Sequence, residues 1–343
     1  MAVAEGFKSV EVGGDTVLVT DLQGQPLVTK PLLSVRVTLR NGGLEVEGQR
    51  VSGARLSPSP NGTLRLNGRE YAGWLDVLRN GDGLIVVNEL PFEHYLAGVL
   101  RAEVTEKWPL EMLKAQAIVA RTYAAYHRWL NAAKPFHIVA STAHQQYAGS
   151  VAAASPAWEA VRDTEGQILM WDGQVFPAFY HADSGGHTED PRLVFAVRNM
   201  PALRAVRSEF SGHSPHFAWN LDIPLGRLTE LLRRGGVSVG TVVRLEVLER
   251  SRSLRVLRLA VHGTRGTARL SGADFRRILG YDTLKSTLFA VAVDGQYARF
   301  AGRGYGHGVG MDQWGAKAMA DQGYRVYEIL EYYYPGAALA MLQ

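Results

Sequence analysis

Two neighbouring segments decide the fold: Asn88-Glu-Leu-Pro-Phe-Glu-His-Tyr-Leu-Ala-Gly-Val-Leu-Arg-Ala-Glu103 and Trp108-Pro-Leu-Glu-Met-Leu-Lys-Ala-Gln-Ala-Ile-Val-Ala-Arg-Thr-Tyr123. In the first segment, apolar residues recur at helical spacing after a proline that can occupy a first helical turn. The second segment opens on Trp-Pro, and its apolar stripe consists mainly of alanines, which let another element approach closely. The pattern predicts two consecutive helices, the second running to about Trp129.

The chain before these helices has the pattern of antiparallel β-structure. Val35, Val37 and Leu39 alternate with polar residues, the period of a half-buried strand. Asn41-Gly42-Gly43 then supplies a hairpin turn before the next alternating run. Ser57-Pro-Ser-Pro60 is predicted to be a loop.

Downstream, residues 138–190 are predicted to form short strands and residues 191–270 a β-rich insertion. A short helix (Asp274–Leu279), a strand and a glycine-rich segment follow, and two helices near 312–321 and 326–334 close the chain. We therefore predict an α+β fold, with an antiparallel β-rich N-terminal part and a mixed α/β core that contains a β-rich insertion subdomain. The predicted boundaries are 1–69, 70–190, 191–270 and 271–343.

Composition excludes several classes of protein. The 343 residues are 46% hydrophobic and 20% charged, so the chain can bury a large core and is not disordered. The absence of cysteine excludes a disulfide scaffold, cysteine-ligated zinc, iron–sulfur clusters and a thiol nucleophile.

Charge and hydropathy narrow the choice further. Lys and Arg outnumber Asp and Glu by 37 to 33, but no basic block occurs, which argues against nucleic-acid binding. No run of apolar residues is long enough to span a membrane. The N-terminus has no apolar signal-peptide core, so we expect either a cytosolic protein or one whose signal peptide has been removed.

Glu103 continues the apolar stripe of the first helix, three and four residues after Leu100 and Val99. A carboxyl on such a face is partly desolvated, which raises its pKa and keeps it protonated near neutral pH, the state that a general acid requires. The alternative is a solvated glutamate at a frayed helix end. Glu93 and Glu111 lie in first turns, where the helix dipole accounts for them.

Ala182-Asp-Ser-Gly-Gly-His187 and Ser141-Thr-Ala-His144 mimic the serine and histidine motifs of chymotrypsin-like proteases. Only 40 residues separate His144 from Ser184, too few for the strands that this fold places between them. A serine hydrolase of another fold is an alternative that requires an oriented base beside Ser184. The simpler interpretation of Gly185-Gly186 is a tight turn or a place where a ligand approaches the backbone.

Glycines alternate with other residues in Gly302-Arg-Gly-Tyr-Gly-His-Gly-Val-Gly-Met-Asp-Gln-Trp-Gly315. On an extended strand, one face would then carry no side chains. Neither nucleotide-binding signature fits this segment. A bare strand face beside Tyr305, His307, Gln313 and Trp314 suits a flat, hydroxyl-rich ligand. Close packing of a strand against a helix is the structural alternative.

Four of the ten histidines, His144, His181, His187 and His307, lie in these motifs and invite comparison with a zinc site. No H-E-x-x-H or H-x-H spacing supports one. We therefore predict histidines that serve as hydrogen-bonding groups, and no metal.

Taken in order, these segments resemble the stage II sporulation protein D/LytB (amidase enhancer) family. The resemblance extends from about residue 70 to residue 338, and residues 1–69 carry no motif of the family. Besides the two helical segments, it rests on Gln146-Tyr-Ala-Gly149, Phe179-Tyr-His-Ala-Asp-Ser-Gly-Gly-His-Thr188, Gly304-Tyr-Gly-His-Gly-Val-Gly-Met-Asp-Gln-Trp-Gly-Ala316 and Glu328-Ile-Leu-Glu-Tyr-Tyr-Tyr-Pro-Gly336.

The resemblance implies a peptidoglycan lytic transglycosylase, which cleaves the β-1,4 bond after N-acetylmuramic acid and leaves a 1,6-anhydro end. Sporulation members prefer glycan strands already stripped of stem peptides by a partner amidase. The family's catalytic glutamate matches Glu103, and one carboxyl acts as acid and then as base, unlike the two carboxylates of ordinary glycosidases. The motif positions expected to line the substrate groove are Lys114, Gln116, Arg121, Tyr123, Ser184, Gly185, His187, Tyr305, His307, Gln313 and Trp314.

Some family members carry His-Cys-Gln, with a zinc ion associated with the cysteine, where this chain has His144-Gln145-Gln146. Glutamine is a poor zinc ligand, so we predict no structural zinc and no cofactor. The expected partners are peptidoglycan glycan strands and a peptidoglycan amidase, and the substrate implies an extracytoplasmic location. The rival hypothesis is a non-catalytic cell-wall-binding protein that stimulates an N-acetylmuramoyl-L-alanine amidase.

Overall fold

An antiparallel sheet is built from the first ninety residues, as the alternating pattern predicts. The computed structural model describes residues 1–142, 144–195, 197 and 200–342. The strands run in the order β1-β10-β9-β6-β2-β3-β4-β5, with β7 paired to β2 and β8 paired to β7. They are β1 (Ala2–Phe7), β2 (Ser9–Thr20), β3 (Leu32–Arg40), β4 (Gly43–Val46), β5 (Gln49–Val51), β6 (Gly53–Pro58), β7 (Leu64–Leu66), β8 (Arg69–Tyr71), β9 (Trp74–Asn80) and β10 (Gly83–Glu89).

The sheet continues across the expected boundary at residue 69. Strand β6 pairs with β9 and β1 pairs with β10, so both sides of that boundary share one hydrogen-bonded structure. Residues 1–69 are therefore part of a larger unit and not a separate domain.

The predicted hairpin is confirmed in β3 and β4, where Leu39 lies opposite Leu44. Asn41 and Gly42 at its turn have φ angles of 47° and 77°. This left-handed conformation at both positions is the one that an Asn-Gly hairpin turn requires.

The predicted loop at Ser57–Pro60 starts later than expected. Strand β6 continues through Pro58, which lies opposite Val17 of β2. Pro58 is the last residue of the strand, where its missing N–H affects only the end of the hydrogen-bond ladder. The prolines therefore end this strand and do not exclude it.

Two helices follow the sheet as predicted, α1 (Phe92–Glu103) and α2 (Leu110–Leu130). Each begins directly after a proline, whose fixed φ is already close to the helical value. Helices α1 and α2 pack against each other and against α3 (Pro156–Asp163). The small residues predicted on the buried side of α2, such as Ala117 and Ala120, have no exposed surface.

Helix α3 lies in the stretch expected to form only short strands. The sequence does contain a helix-start signal, Ser155 followed by Pro156. In the structure the Ser155 hydroxyl caps the helix by accepting a hydrogen bond from the Ala157 N–H at 3.1 Å, and Pro156 takes the first helical position. Eight residues are too few for the helical period to stand out.

The chain forms two units, one from Met1 to Ile168 with the residues after Leu339, and one from Leu169 to Leu339. None of the helices in the described residues is long and apolar enough to cross a membrane. The later elements are β11 (Gln167–Trp171), β12 (Gln174–Val175), β13 (Tyr180–His181), α4 (Pro191–Val194), β14 (Trp219–Pro224), α5 (Leu225–Arg234), β15 (Val242–Arg250), β16 (Val256–Gly263), β17 (Gly266–Ser271), α6 (Gly272–Leu279), β18 (Phe289–Val293), β19 (Tyr297–Gly302), β20 (Met311–Asp312), α7 (Gln313–Asp321), α8 (Val326–Tyr333) and β21 (Ala338–Met341).

The predicted β-rich insertion is larger than residues 191–270 and contains helices α5 and α6. Its sheets are β14-β19-β18 and β15-β16-β17, and α5 and α6 share their apolar core. That core also includes Phe275, Phe289 and Phe300, so it continues past the predicted boundary at residue 270. Helix α5 could have been predicted from Leu225, Leu228 and Leu232, which repeat at helical spacing.

The glycine-rich segment is not the extended strand that its alternation suggested. Gly304 and Gly310 have φ angles of 74° and 72°, values that exclude an extended strand. A Cβ on Gly304 would lie 2.7 Å from the carbonyl oxygen of Asp183, and one on Gly310 would lie 1.9 Å from that of Phe179. The glycines therefore allow a loop to pass directly over residues 179–185.

We predict that Arg121→Met lowers the free energy of unfolding of the first unit by about 3 kcal/mol, because it leaves the partners of a buried guanidinium unpaired. Arg121 has no exposed side-chain surface and binds Glu93 at 2.6 Å. Arg128→Met, at an exposed position of the same helix, is the control. Urea unfolding followed by circular dichroism measures both. Equal stability of the two variants would show that Arg121 is not a structural residue.

Candidate functional site

In the first unit, the candidate site is centred on Glu103 at the end of α1. Leu96 and Val99 of the same helix have no exposed surface, so the helix is fixed by its apolar face. Glu103 extends that face and is partly buried, as the apolar stripe predicts. Its Oε1 accepts a hydrogen bond from the backbone N–H of Gln146 at 2.6 Å.

Two tyrosines lie close enough to Glu103 to feel its charge. Burial, and then the Glu103 carboxylate, raise the pKa of Tyr95 well above its usual value, and the same two causes raise the pKa of Tyr123. Both phenols therefore remain protonated at neutral pH. Tyr95 was missed in the sequence, although it lies eight residues before Glu103, a spacing that returns to a similar side of a helix.

The segment that donates to Glu103 is held against α1 and α2. The buried Gln145 side chain accepts a hydrogen bond from the Tyr95 hydroxyl and donates one to the Ala120 carbonyl at 3.3 Å. The same segment also contacts α1 at Gly98, whose carbonyl accepts a hydrogen bond from the Ala148 N–H at 3.1 Å. Gln145 thus uses its amide in protein hydrogen bonds, which does not fit the residue as a zinc ligand.

A second layer of side chains lies along α2. The Tyr123 hydroxyl is 3.1 Å from Nδ1 of His144, and the His144 ring contacts that of His127 edge-on at 4.8 Å. Burial, followed by the nearby His144, lowers the pKa of His127 to about 4, so its ring is neutral at pH 7. Among the described residues, no His, Asp and Glu side chains form a group of three that could hold a metal ion.

Of three residues expected to line a groove, Lys114 and Arg121 form ion pairs within the protein and Gln116 is buried. The Lys114 ammonium lies 2.8 Å from Asp163 and 3.3 Å from Glu111. Gln116 has no exposed surface, and Arg121 is buried. Besides its ion pair with Glu93, Arg121 donates to the carbonyl of Gln167 at 3.0 Å, which corrects the prediction that it contacts substrate.

In the second unit, the Asp183–His187 segment forms a tight turn. Gly185 and Gly186 have φ angles of 71° and 109°, as expected for a glycine turn. The Gly186 N–H donates to the Ser184 hydroxyl at 3.1 Å, and the Ser184 N–H donates to Asp312 at 3.1 Å. Ser184 is fully buried, so the structure does not support it as a hydrolase nucleophile. Ala143 of the accompanying His144 motif lies outside the described residues.

Two buried carboxyls accompany this turn. Asp183 and Asp312 have no exposed surface. Burial, and then the charge of Asp312, raise the pKa of Asp183 to about 6. Asp312 caps α7 by accepting a hydrogen bond from the Gly315 N–H at 3.0 Å and also accepts one from the Ser208 hydroxyl at 3.0 Å.

Arg255, which no motif in the sequence singles out, neutralises this region from the β15–β16 hairpin. Its side chain donates to the carbonyls of Ser184 at 2.7 Å and His187 at 3.0 Å, and it is 1% exposed. Burial lowers the pKa of Arg255, while the nearby acidic groups oppose that change. The guanidinium thus fixes the backbone of the turn.

The predicted substrate-binding residues of this unit divide into buried and accessible groups. Ser184, Gly185 and Gln313 are buried. His307 packs edge-on against Phe195 at 5.0 Å, and burial and the neighbouring His181 lower its pKa well below the usual value. The predicted residues that keep part of their surface exposed are His187, Tyr305, His307 and Trp314.

The structure therefore brings Glu103 and Tyr123 together in the first unit, and Ser184, Gly185 and Tyr305 in the second. The Asp183 N–H donates to the carbonyl of Tyr305 at 3.0 Å, which joins the two predicted motifs of the second unit directly.

Comparison with known proteins identifies the family. Residues 80–171 match the family described as Stage II sporulation protein, and residues 196–310 match a domain of unknown function. An uncharacterized protein of Brachyspira hyodysenteriae is 35% identical over 272 residues, which cover 79% of this chain and 72% of that protein. The chain belongs to the stage II sporulation protein D/amidase enhancer family.

Two Bacillus relatives carry the names of that family. Stage II sporulation protein D of Bacillus amyloliquefaciens is 28% identical over 270 residues, covering 74% of this chain and 75% of that protein. The Amidase enhancer of Bacillus subtilis is 28% identical over 357 residues, covering 88% of this chain. The matched region spans only 49% of that longer relative.

We predict that Asp183 makes stability pH-dependent. Its folded pKa of about 6 lies above its ordinary value of 3.8, so protonation favours the folded state. This contribution is complete below about pH 4 and is lost as the pH rises through about 6, a change of roughly 3 kcal/mol. Asp183→Asn should abolish that part of the pH dependence.

Urea unfolding at a series of pH values tests this prediction. Asp172→Asn serves as the control because Asp172 is exposed in the same unit. The control should keep the wild-type slope. If Asp183→Asn keeps it as well, another group causes the pH dependence.

Proposed function

We propose that the protein is a peptidoglycan lytic transglycosylase that acts on glycan strands from which stem peptides have been removed. The observation that carries the proposal is the placement of Glu103, a partly buried carboxyl that accepts a backbone hydrogen bond at 2.6 Å beside two phenols that stay protonated. Membership in a family with sporulation and amidase-enhancer relatives supports the cell wall as the place of action.

The reaction uses Glu103 twice. The protonated carboxyl donates its proton to the glycosidic oxygen, and the bond from that oxygen to the anomeric carbon of N-acetylmuramic acid breaks. The carboxylate then takes the proton of the sugar's own 6-hydroxyl, whose oxygen bonds to the anomeric carbon. The products are a new N-acetylglucosamine end and a 1,6-anhydro end, and Glu103 is protonated again.

The hydrogen bond from Gln146 favours the carboxylate form, the state that must form in the first step. The raised pKa values of Tyr95 and Tyr123 keep both phenols protonated. A phenol that already holds its proton does not take the proton of Glu103.

The second unit has partly exposed groups of its own that suit contact with a glycan. His187, Tyr305, His307 and Trp314 keep accessible surface, and aromatic rings with polar edges suit sugar rings. Peptidoglycan lies outside the cytoplasmic membrane, so the proposal includes an extracytoplasmic location and an amidase as the partner that prepares the substrate.

We predict that Glu103→Gln lowers the rate of glycan cleavage by roughly 10²- to 10⁴-fold, because it removes the acid and base without a large change in size. Glu159→Gln, at an exposed position of α3, should cleave like the wild type. Intact sacculi and amidase-stripped strands are each incubated with the three proteins, and mass spectrometry counts anhydro ends. Equal release by Glu103→Gln and the wild type would show that Glu103 is not the acid.

The second candidate function is a non-catalytic protein that stimulates an amidase. The similarity to the Amidase enhancer over 88% of this chain favours it. In that case the wild type binds sacculi and accelerates an added amidase, releases no anhydro ends, and Glu103→Gln accelerates the amidase equally.

A further inference from the structure

A row of aromatic side chains runs along the second half of α2 in the first unit. Tyr126 lies three residues and His127 four residues after Tyr123, and Trp129 lies three residues after Tyr126. These spacings place side chains next to one another on the surface of a helix. We call these four residues, together with His144, the aromatic row.

Ring contacts join each member of the aromatic row to the next. The centroids of the Tyr123 and His127 rings are 4.3 Å apart. Tyr126 contacts His127 edge-on at 5.4 Å, and the Tyr126 and Trp129 centroids are 6.1 Å apart. Aromatic rings at such separations attract each other beyond the area that they bury. The row is therefore a packed set of rings along one side of the helix.

The inner end of the aromatic row belongs to the Glu103 site. The Tyr123 hydroxyl lies 3.1 Å from Nδ1 of His144. Two residues after His144, the Gln146 N–H donates to the Glu103 carboxyl at 2.6 Å. The row therefore begins in the same group of contacts that holds the candidate catalytic carboxyl.

The outer end of the aromatic row lies open at the surface. Tyr123 is buried and Tyr126 is partly buried, but Trp129 is 74% exposed. At a rise of 1.5 Å per residue, Trp129 lies roughly 9 Å further along the helix axis than Tyr123. The core does not need an indole at this position, because most of its surface faces solvent.

Resting on the proposed function, we propose that Trp129 and Tyr126 form a distal glycan subsite. This subsite binds a sugar of the same strand beyond the sugars that flank the bond at Glu103. A glycan strand is a polymer, so it continues along the protein surface past the bond that is cleaved. The indole and phenol offer flat apolar faces for sugar rings, and their polar N–H and O–H groups suit sugar hydroxyls.

Continuity with the Glu103 site favours a glycan over other occupants of the end of α2. The ring contacts of the aromatic row connect Trp129 to the candidate catalytic carboxyl without a break. The neighbouring Leu130 is also exposed, by 53%, but carries no ring. A membrane or an apolar protein surface would use both residues, whereas a sugar ring needs the indole.

The first experiment measures the affinity for glycan strands without cleaving them. Peptide-stripped strands are titrated by calorimetry into proteins that carry Glu103→Gln. We expect Trp129→Ala to weaken binding by about three- to tenfold, because one aromatic contact is lost. Trp129→Phe keeps a ring and should bind within about twofold of the parent protein. Unchanged binding by Trp129→Ala would overturn the assignment.

Leu130→Ala is the matched control, because it removes an exposed apolar side chain from the next position of α2. It should bind glycan strands like the parent protein. Equal weakening by Leu130→Ala and Trp129→Ala would show a general apolar surface, and the sugar subsite would be wrong.

A second experiment tests whether the strand covers the indole itself. Acrylamide quenches the fluorescence of exposed indoles, so bound strands should reduce quenching of the parent protein. The reduction should be smaller in Trp129→Phe, which lacks this indole and keeps the other tryptophans. An equal reduction in both proteins would place the strand away from Trp129.

The outcomes separate this inference from the proposed function. If the wild type releases no anhydro ends but Trp129→Ala still weakens binding of glycan strands, the transglycosylase proposal fails and the distal subsite stands. If the wild type cleaves glycan strands and Trp129→Ala binds them equally well, the subsite fails and the transglycosylase proposal stands.

Discussion

The close contact between residues 145–149 and α1 is the constraint on which the Glu103 site depends. A Cβ at Gly98 would lie 2.3 Å from the Tyr147 ring, so only glycine lets this segment lie against the helix. The contact brings the Gln146 N–H within 2.6 Å of the Glu103 carboxyl. Gln145 stabilises the same segment from inside, because it is fully buried and its amide joins α1 to α2. Together these contacts give a flexible carboxyl side chain one defined position.

The second unit differs from the first site in that it buries several charged side chains. Asp183, Asp312 and Arg255 are almost completely removed from water, and each would be costly alone. Arg255 lies so close to the glycine-rich loop that a Cβ on Gly308 would be 2.6 Å from its guanidinium carbon. The spacing of glycines in this loop therefore follows from a charged core and a crowded backbone, and the flat ligand surface that the alternation suggested is not needed to explain it.

Local signals accounted for the elements that the sequence predicted correctly. The prolines before α1 and α2 and the Asn41-Gly42 turn each act within a few residues, so their outcome does not depend on the rest of the fold. The sheet and the apolar core continue past residues 69 and 270, because sheet pairing and core packing join segments that are distant in sequence. The partly buried position of Glu103 could be predicted from the apolar stripe of its own helix. No local pattern marks Arg255, whose partners lie about seventy residues away.

In the reaction that we propose, Glu103 gives up a proton and then takes one back, so it needs neighbours that do not titrate with it. Tyr95 and Tyr123 meet this condition because burial and the Glu103 charge both raise their pKa values. His127 also does not titrate near neutral pH, because its pKa is lowered to about 4 and its ring stays neutral. A permanent cation at these positions would favour the carboxylate and weaken the acid, and a second carboxylate would do the reverse. The two neutral phenols and the Gln146 N–H are compatible with the two proton transfers that we propose for Glu103.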